Sequence, residues 1–277
     1  MRGRLTAIKN IAWALAIVLC LLAVFVGLLF AAFTRNSGEQ FRGGVPLGTK
    51  TERTETVEET GTRPPQQSDG TLQVPAETGD AGQAYLDSLS FLIDSTLIGL
   101  RDYGVLTSAS QVWTTPSGVL AVSDIAESKI VFPNDGSIVS AANAAMILQP
   151  RVLVISVGND GIANIDQYDF MDKYAALIIS IQKASPQTWI LCLPLSSVTA
   201  GYSESTGFTS QRINDANTWI QDVCAETGAL YCDAVSSVQD LSGALMDDYA
   251  SADGKTLNST GVSQILQYLR YHAVGLG

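Results

Sequence analysis

Hydrophobic and polar positions follow three different patterns along the chain. Residues 11–33 (IAWALAIVLCLLAVFVGLLFAAF) are apolar without interruption and carry no charge. As a helix they extend about 34 Å, enough to cross the hydrocarbon core of a bilayer. A helix that is apolar on every face suits lipid better than the one-sided core of a soluble domain. Arg2, Arg4 and Lys9 precede it. The positive-inside rule therefore predicts cytoplasmic residues 1–10, a signal-anchor transmembrane helix over 11–33, and an extracytoplasmic remainder at the cell membrane. A cleaved signal peptide is the competing expectation, but its apolar core is usually about 7–15 residues long.

Residues 34–82 show little apolar periodicity and are dense in Thr, Glu, Gly and Pro. Such a composition buries too little surface to offset the entropy of ordering, so a disordered linker is expected. From residue 83 to 277 the pattern becomes regular. Short apolar runs at 89–93 (LSFLI), 151–156 (RVLVIS), 188–193 (TWILCL) and 230–234 (LYCDA) predict strands. Phe170, Tyr174, Leu177, Ile178 and Ile181 recur at helical spacing over 167–184. Ile213, Ala216, Ile220 and Val223 do so over 210–226, and Val262, Ile265, Leu266 and Leu269 over 260–273. QVWTT and KIVF suggest two further short strands. Strands separated by such helices predict an α/β fold, a single flavodoxin-like three-layer domain with a parallel sheet.

Composition narrows the function classes. The 277 residues carry a net charge of −11, and charges within the first 82 residues cancel, so the excess falls on the domain. Such a surface repels a nucleic-acid backbone. One His and four scattered Cys provide no zinc-finger spacing and no His-rich metal site, so no metal or cofactor is expected. Cys192 and Cys232, on strands expected to be neighbours, are read as buried thiols, with a bridge between them as the alternative.

In parallel sheets, ligands sit beyond the carboxyl ends of the strands. Three segments there carry chemistry: FLIDST around Ser95, VGNDG around Asn159 and Asp160, and DGKTLN from Asp253 to Asn258. In order and spacing they resemble the blocks of the SGNH/GDSL hydrolase family. The resemblance implies Ser95 as nucleophile, Asp253 as orienting acid, the Ser95 amide as one oxyanion donor and Gly118 as a second. It also implies an esterase-type reaction on an acylated carbohydrate or cell-wall glycan, without a cofactor.

The chain departs from the pattern at three places. Thr256 stands where the family has its histidine, and a threonine is no base near neutral pH. Ile93 replaces the glycine before Asp94. In VGNDG the oxyanion position falls on Asn159 by one alignment and on Asp160 by the other, and a carboxylate there would repel an oxyanion. His272, about 18 Å along the last helix from its start, is too remote to replace the missing base. Lys255, as a loop lysine, is expected to stay protonated. Ser95 has a structural alternative as a helix cap. The expectation is a membrane-anchored pseudoenzyme that binds an envelope ligand or partner. The alternative is an active ester hydrolase or carbohydrate O-deacetylase using Ser95 with an unrecognised base.

Overall fold

The computed structural model describes residues 68–127, 129–206 and 208–276. The expected cytoplasmic stretch 1–10, the apolar segment 11–33 and most of the linker lie outside the described residues. Among the described residues no helix is long and apolar enough to cross a membrane.

Five strands form one parallel sheet: β1 (Leu89–Ile93), β2 (Val112–Trp113), β5 (Val152–Ser156), β6 (Trp189–Cys192) and β7 (Leu230–Tyr231). Their order is β2-β1-β5-β6-β7, which among these five reads 2-1-3-4-5, one of the doubly wound orders. Phe91 at the centre pairs with Val112 on one side and Val154 on the other. A separate antiparallel hairpin joins β3 (Lys129–Val131) to β4 (Ile138–Ser140). The expected strands are thus present, 89–93 at its full length and the others shortened to the part that finds a partner.

Seven helices accompany the strands: α1 (Gly82–Asp87), α2 (Gly99–Asp102), α3 (Ala141–Leu148), α4 (Gln167–Ala184), α5 (Ala200–Thr206), α6 (Ser210–Thr227) and α7 (Ser259–Tyr271). The period-two alternation of the strands sorts their side chains into two cores. Leu92, Leu153, Ile155 and Ile190 point to one face, where Phe170 and Tyr174 of α4 and Ile213 and Ile220 of α6 cover them. Phe91, Ile93, Val154 and Leu191 point to the other, beneath Leu86 of α1 and Ile265 and Leu269 of α7. This makes three layers, with the sheet in the middle. Side-chain caps start the long helices, Asp166 accepting from the Asp169 amide, Thr209 from Arg212 and Asn258 from Gly261.

The same alternation rules out the suggested Cys192–Cys232 bridge. Cys192 lies in the first core and Cys232 in the second, on opposite faces of the sheet. Both are buried free thiols, as is Cys224.

The end of the expected linker is part of this domain. Gln73 pairs in parallel with Leu230, and its carbonyl accepts from the Tyr231 amide at 2.9 Å. The Thr78 and Ala81 amides donate to the carbonyls of Tyr271 and Arg270, and Asp80 forms an ion pair with Arg270. Backbone hydrogen bonds to the β7 edge order a stretch whose side chains are too polar to signal burial.

Candidate active site

The site lies where β1 and β5 end. Asp94 caps the short turn Ser95–Leu97 by accepting from the Thr96 amide at 3.0 Å and the Thr96 hydroxyl at 2.6 Å. Its second oxygen accepts from the amides of Gly158 at 3.0 Å and Asn159 at 2.8 Å. One fully buried carboxylate thus ties the end of β1 to the loop after β5. Burial and the nearby charge of Asp160 push its pKa up to about 6, against the pull of the Thr96 and Asn159 donors. Asp94, not Ser95, is the cap. Gly158 has φ +130°, and a Cβ there would lie 2.9 Å from Leu195, so only glycine brings this amide onto Asp94.

Ser95 is thereby presented at the mouth of the sheet, and Asp160 meets it. The Ser95 hydroxyl donates to Oδ1 of Asp160 at 2.6 Å, and the Ser95 amide donates to Oδ2 at 3.1 Å. The Leu120 amide donates to the same Oδ2 at 3.0 Å. Two backbone amides converging beside a serine hydroxyl form an oxyanion-hole arrangement, and here a carboxylate of the chain itself occupies it. Burial would raise the Asp160 pKa, but the hydrogen bonds from Ser95 and Leu120 and the charge of Lys255 outweigh it and hold the carboxyl below its usual range.

Lys255 completes the cluster. Its Nζ lies 3.0 Å from Oδ1 of Asp160 and 3.2 Å from the Ser95 Oγ. The expectation of a lysine standing free on an exposed loop is corrected: only 27 % of its side chain is exposed, and it points inward as half of an ion pair. The resulting Ser95 hydroxyl gives its hydrogen to Asp160 and receives one from Lys255.

The other expected residues fall as follows. Asp253 is directed at its own loop, accepting from the amides of Lys255 and Thr256 at 3.0 and 2.8 Å and from the Thr256 hydroxyl at 2.6 Å. Partial burial opposes ionisation, but these donors prevail and lower its pKa. Asp253 therefore orients the Thr256 hydroxyl. Gly118 is not the second donor: its amide closes a turn onto Thr115, and its φ of +79° shapes the loop that delivers Leu120. Asn159 turns away, its Nδ2 donating to the Ser196 carbonyl at 3.2 Å. Ile93 pairs with Ser156 and is wholly buried in the second core. His272 stacks on Tyr268 at 3.9 Å, with Nδ1 2.9 Å from the Tyr268 carbonyl, at the far end of α7.

The residues missed by sequence reasoning are Leu120, which acts through its backbone, and Asp94, whose role as a clamp carries no motif of its own. Chemically, the side chains that reach the Ser95 hydroxyl are Asp160 and Lys255, which are themselves an ion pair. Asp160 is a weak base, and a Lys255 that gave up its proton would also give up its ion pair.

Beside this cluster a cleft of about 170 Å³ opens between the loops after β5 and β6, with Lys255 on its wall. Among the described residues no group of acidic, His or Cys side chains is arranged to hold a metal ion.

Residues 136–262 match the model of the GDSL-like lipase/acylhydrolase family. That stretch includes Asp160, Asp253 and Thr256 and begins after Ser95. No curated protein matches the chain. Among solved structures it is similar to a protein described as belonging to the G-D-S-L family from Desulfitobacterium hafniense, at 14% identity and a TM-score of 0.49, covering 67% of this chain and 98% of that one. A carbohydrate esterase family 3 structure from Talaromyces cellulolyticus is similar at 15% identity and 0.44, covering 66% and 93%. The OSK domain of Drosophila Oskar is similar at 14% identity and 0.43, covering 79% and 98%. The family match takes in the loop after β5 and the Asp253–Asn258 segment that face Ser95, so residues 136–262 carry a GDSL-like lipase/acylhydrolase domain.

Proposed function

We propose that this domain binds an envelope carbohydrate without hydrolysing it, and that residues 11–33 anchor it to the outer face of the cell membrane. One observation carries the reading: the Asp160 carboxylate accepts from both backbone amides that would receive an oxyanion. A tetrahedral intermediate cannot share that position with a fixed negative charge. Losing one oxyanion donor costs about 10²–10³ in turnover in a serine protease, and here neither donor is free. The histidine position adds to this, since removing a triad histidine costs about 10⁶. A fold without turnover keeps its cleft, and a cleft that holds its ligand without cutting it is a receptor.

The test is ester hydrolysis by the full-length chain, with p-nitrophenyl acetate and an acetylated oligosaccharide, beside a Ser95→Ala variant. Equal rates are expected. Turnover that vanishes in the variant would overturn the reading. The anchoring is checked by adding protease to intact cells, which is expected to release the domain by cutting the linker.

A second reading has its own observation. Lys255 Nζ lies 3.2 Å from the Ser95 oxygen, the spacing of a Ser–Lys pair in an active hydrolase. It requires Lys255 to be neutral and Asp160 to swing out of the hole. The ion pair between them opposes both, so the non-hydrolysing reading is preferred.

A further inference from the structure

The cleft beside Ser95 differs from the cluster in one respect that bears on what it accepts. Lys255, Asn159 and Asn164 supply polar walls, while Val198, Tyr202 and Phe208 supply apolar ones. No carboxylate lines it. The one charge on its wall, the Lys255 ammonium, is already balanced by Asp160 at 3.0 Å. An ammonium has three N–H groups, and Lys255 uses two, on Ser95 and Asp160.

We propose that the cleft binds a single uncharged sugar ring of an oligosaccharide, and that Asp160 sets this preference by neutralising Lys255. The inference rests on the binding reading above and deepens it. A pyranose has hydroxyls around its rim and apolar C–H faces, matching a lining that combines amide and ammonium groups with aromatic side chains. Asn159, one of the cleft's lining residues, has a buried Oδ1 with no hydrogen-bond partner among the described residues. An unpaired acceptor of that kind favours a ligand that brings an O–H or N–H donor. An acyl chain would leave these groups unsatisfied, and burying them against methylenes is costly. An anionic ring would meet a cation already paired, on a domain that carries the whole net charge of −11. The volume of about 170 Å³ fits one ring better than the drug-sized ligands that fill roughly 300–1,000 Å³.

The experiment is ligand-observed saturation-transfer NMR on the full-length chain in a detergent without sugar headgroups. The probes are chitotetraose and cellotetraose as neutral oligosaccharides and tetragalacturonate as the anionic one. Saturable transfer to a neutral probe is expected, with tetragalacturonate at least about tenfold weaker. Asn164→Ala, at an exposed position, is expected to weaken the neutral probe about fivefold, the worth of one hydrogen bond. Asp160→Asn leaves Lys255 uncompensated and is expected to shift the ratio towards tetragalacturonate by about tenfold or more. Circular dichroism confirms that it folds, and Asn164→Ala with Lys255→Met serves if it does not. Lack of transfer to both neutral probes, tighter binding of tetragalacturonate by the unmodified chain, or indifference to both Asn164→Ala and Lys255→Met would overturn the inference. Binding accompanied by Ser95-dependent hydrolysis overturns only the non-hydrolysing reading. Binding of tetragalacturonate alone, without hydrolysis, overturns only this one.

Discussion

Asp160 holds Ser95 twice, through the hydroxyl at 2.6 Å and through the backbone amide at 3.1 Å. The hydroxyl and the backbone amide of Ser95 are thus bound by the same carboxylate, so on the non-hydrolysing reading the two departures of the site are not independent. Restoring one without the other is then expected to leave the serine blocked.

This coupling fixes the order in which activity is expected to return. Thr256→His alone is expected to give no Ser95-dependent hydrolysis of p-nitrophenyl acetate, because the hole stays filled. Asp160→Gly alone is expected to give none either, for want of a base. The double variant is expected to exceed both by about 10²–10³, with Ser95→Ala in that background as the control. Activity from Thr256→His alone would show that Asp160 leaves the hole readily.

Covalent labelling reads the same feature without turnover. A serine-directed fluorophosphonate is expected to leave Ser95 unlabelled in the unmodified chain, since its phosphoryl oxygen needs the amides of Ser95 and Leu120. Asp160→Gly is expected to label at least tenfold faster, as measured by intact mass against time.

Asp94 governs the pH response of stability. Its pKa is about 6 in the folded state against 3.8 for the unconstrained group, so the folded chain binds this proton more tightly than the unfolded one. Its contribution is fully present below about pH 4 and is lost as the pH rises through 6. By linkage this is a loss of stability with rising pH. Asp160 and Asp253 have lowered values and act oppositely. Their contribution is present above about pH 4 and disappears on further acidification. Urea unfolding from pH 4 to 7 is expected to show a downward slope with rising pH, which Asp94→Asn flattens while lowering stability throughout. An unchanged slope in the variant would assign the titration to another group.

How much of this was legible beforehand depended on whether side chains or backbone carried the information. The strands around Phe91 and Val154 and the helix carrying Phe170 and Tyr174 were readable because burial imposes a period on side-chain chemistry. The departure at Thr256 was readable because a triad base must be a particular side chain. Two alignments of VGNDG remained open, since the residue that turns inward depends on the φ of Gly158. Leu120 contributes an amide that every residue but proline possesses, so no letter announces it. Gln73 and Thr78 looked like linker for the same reason, their fastening being made of main-chain bonds.

The fastening has its own test. Removing residues 1–76 takes away Gln73 and leaves the Tyr231 amide without its partner. The shortened chain is expected to melt at a lower temperature and to associate through the bared strand, seen as a concentration-dependent species in size-exclusion chromatography. A monomer of unchanged melting temperature would show that the Gln73 contact is dispensable.

The stitching of residues 73–81 to β7 and to the end of α7 also determines how the domain responds to mechanical load. A pull arriving from the N-terminal side is borne first by the Tyr231 amide, the Tyr271 and Arg270 carbonyls and the Asp80–Arg270 pair. Ser95 follows the carboxyl end of β1, three strands across the sheet from β7. Tension on the chain is therefore expected to be borne at the rim of the sheet before it reaches the strand that presents Ser95.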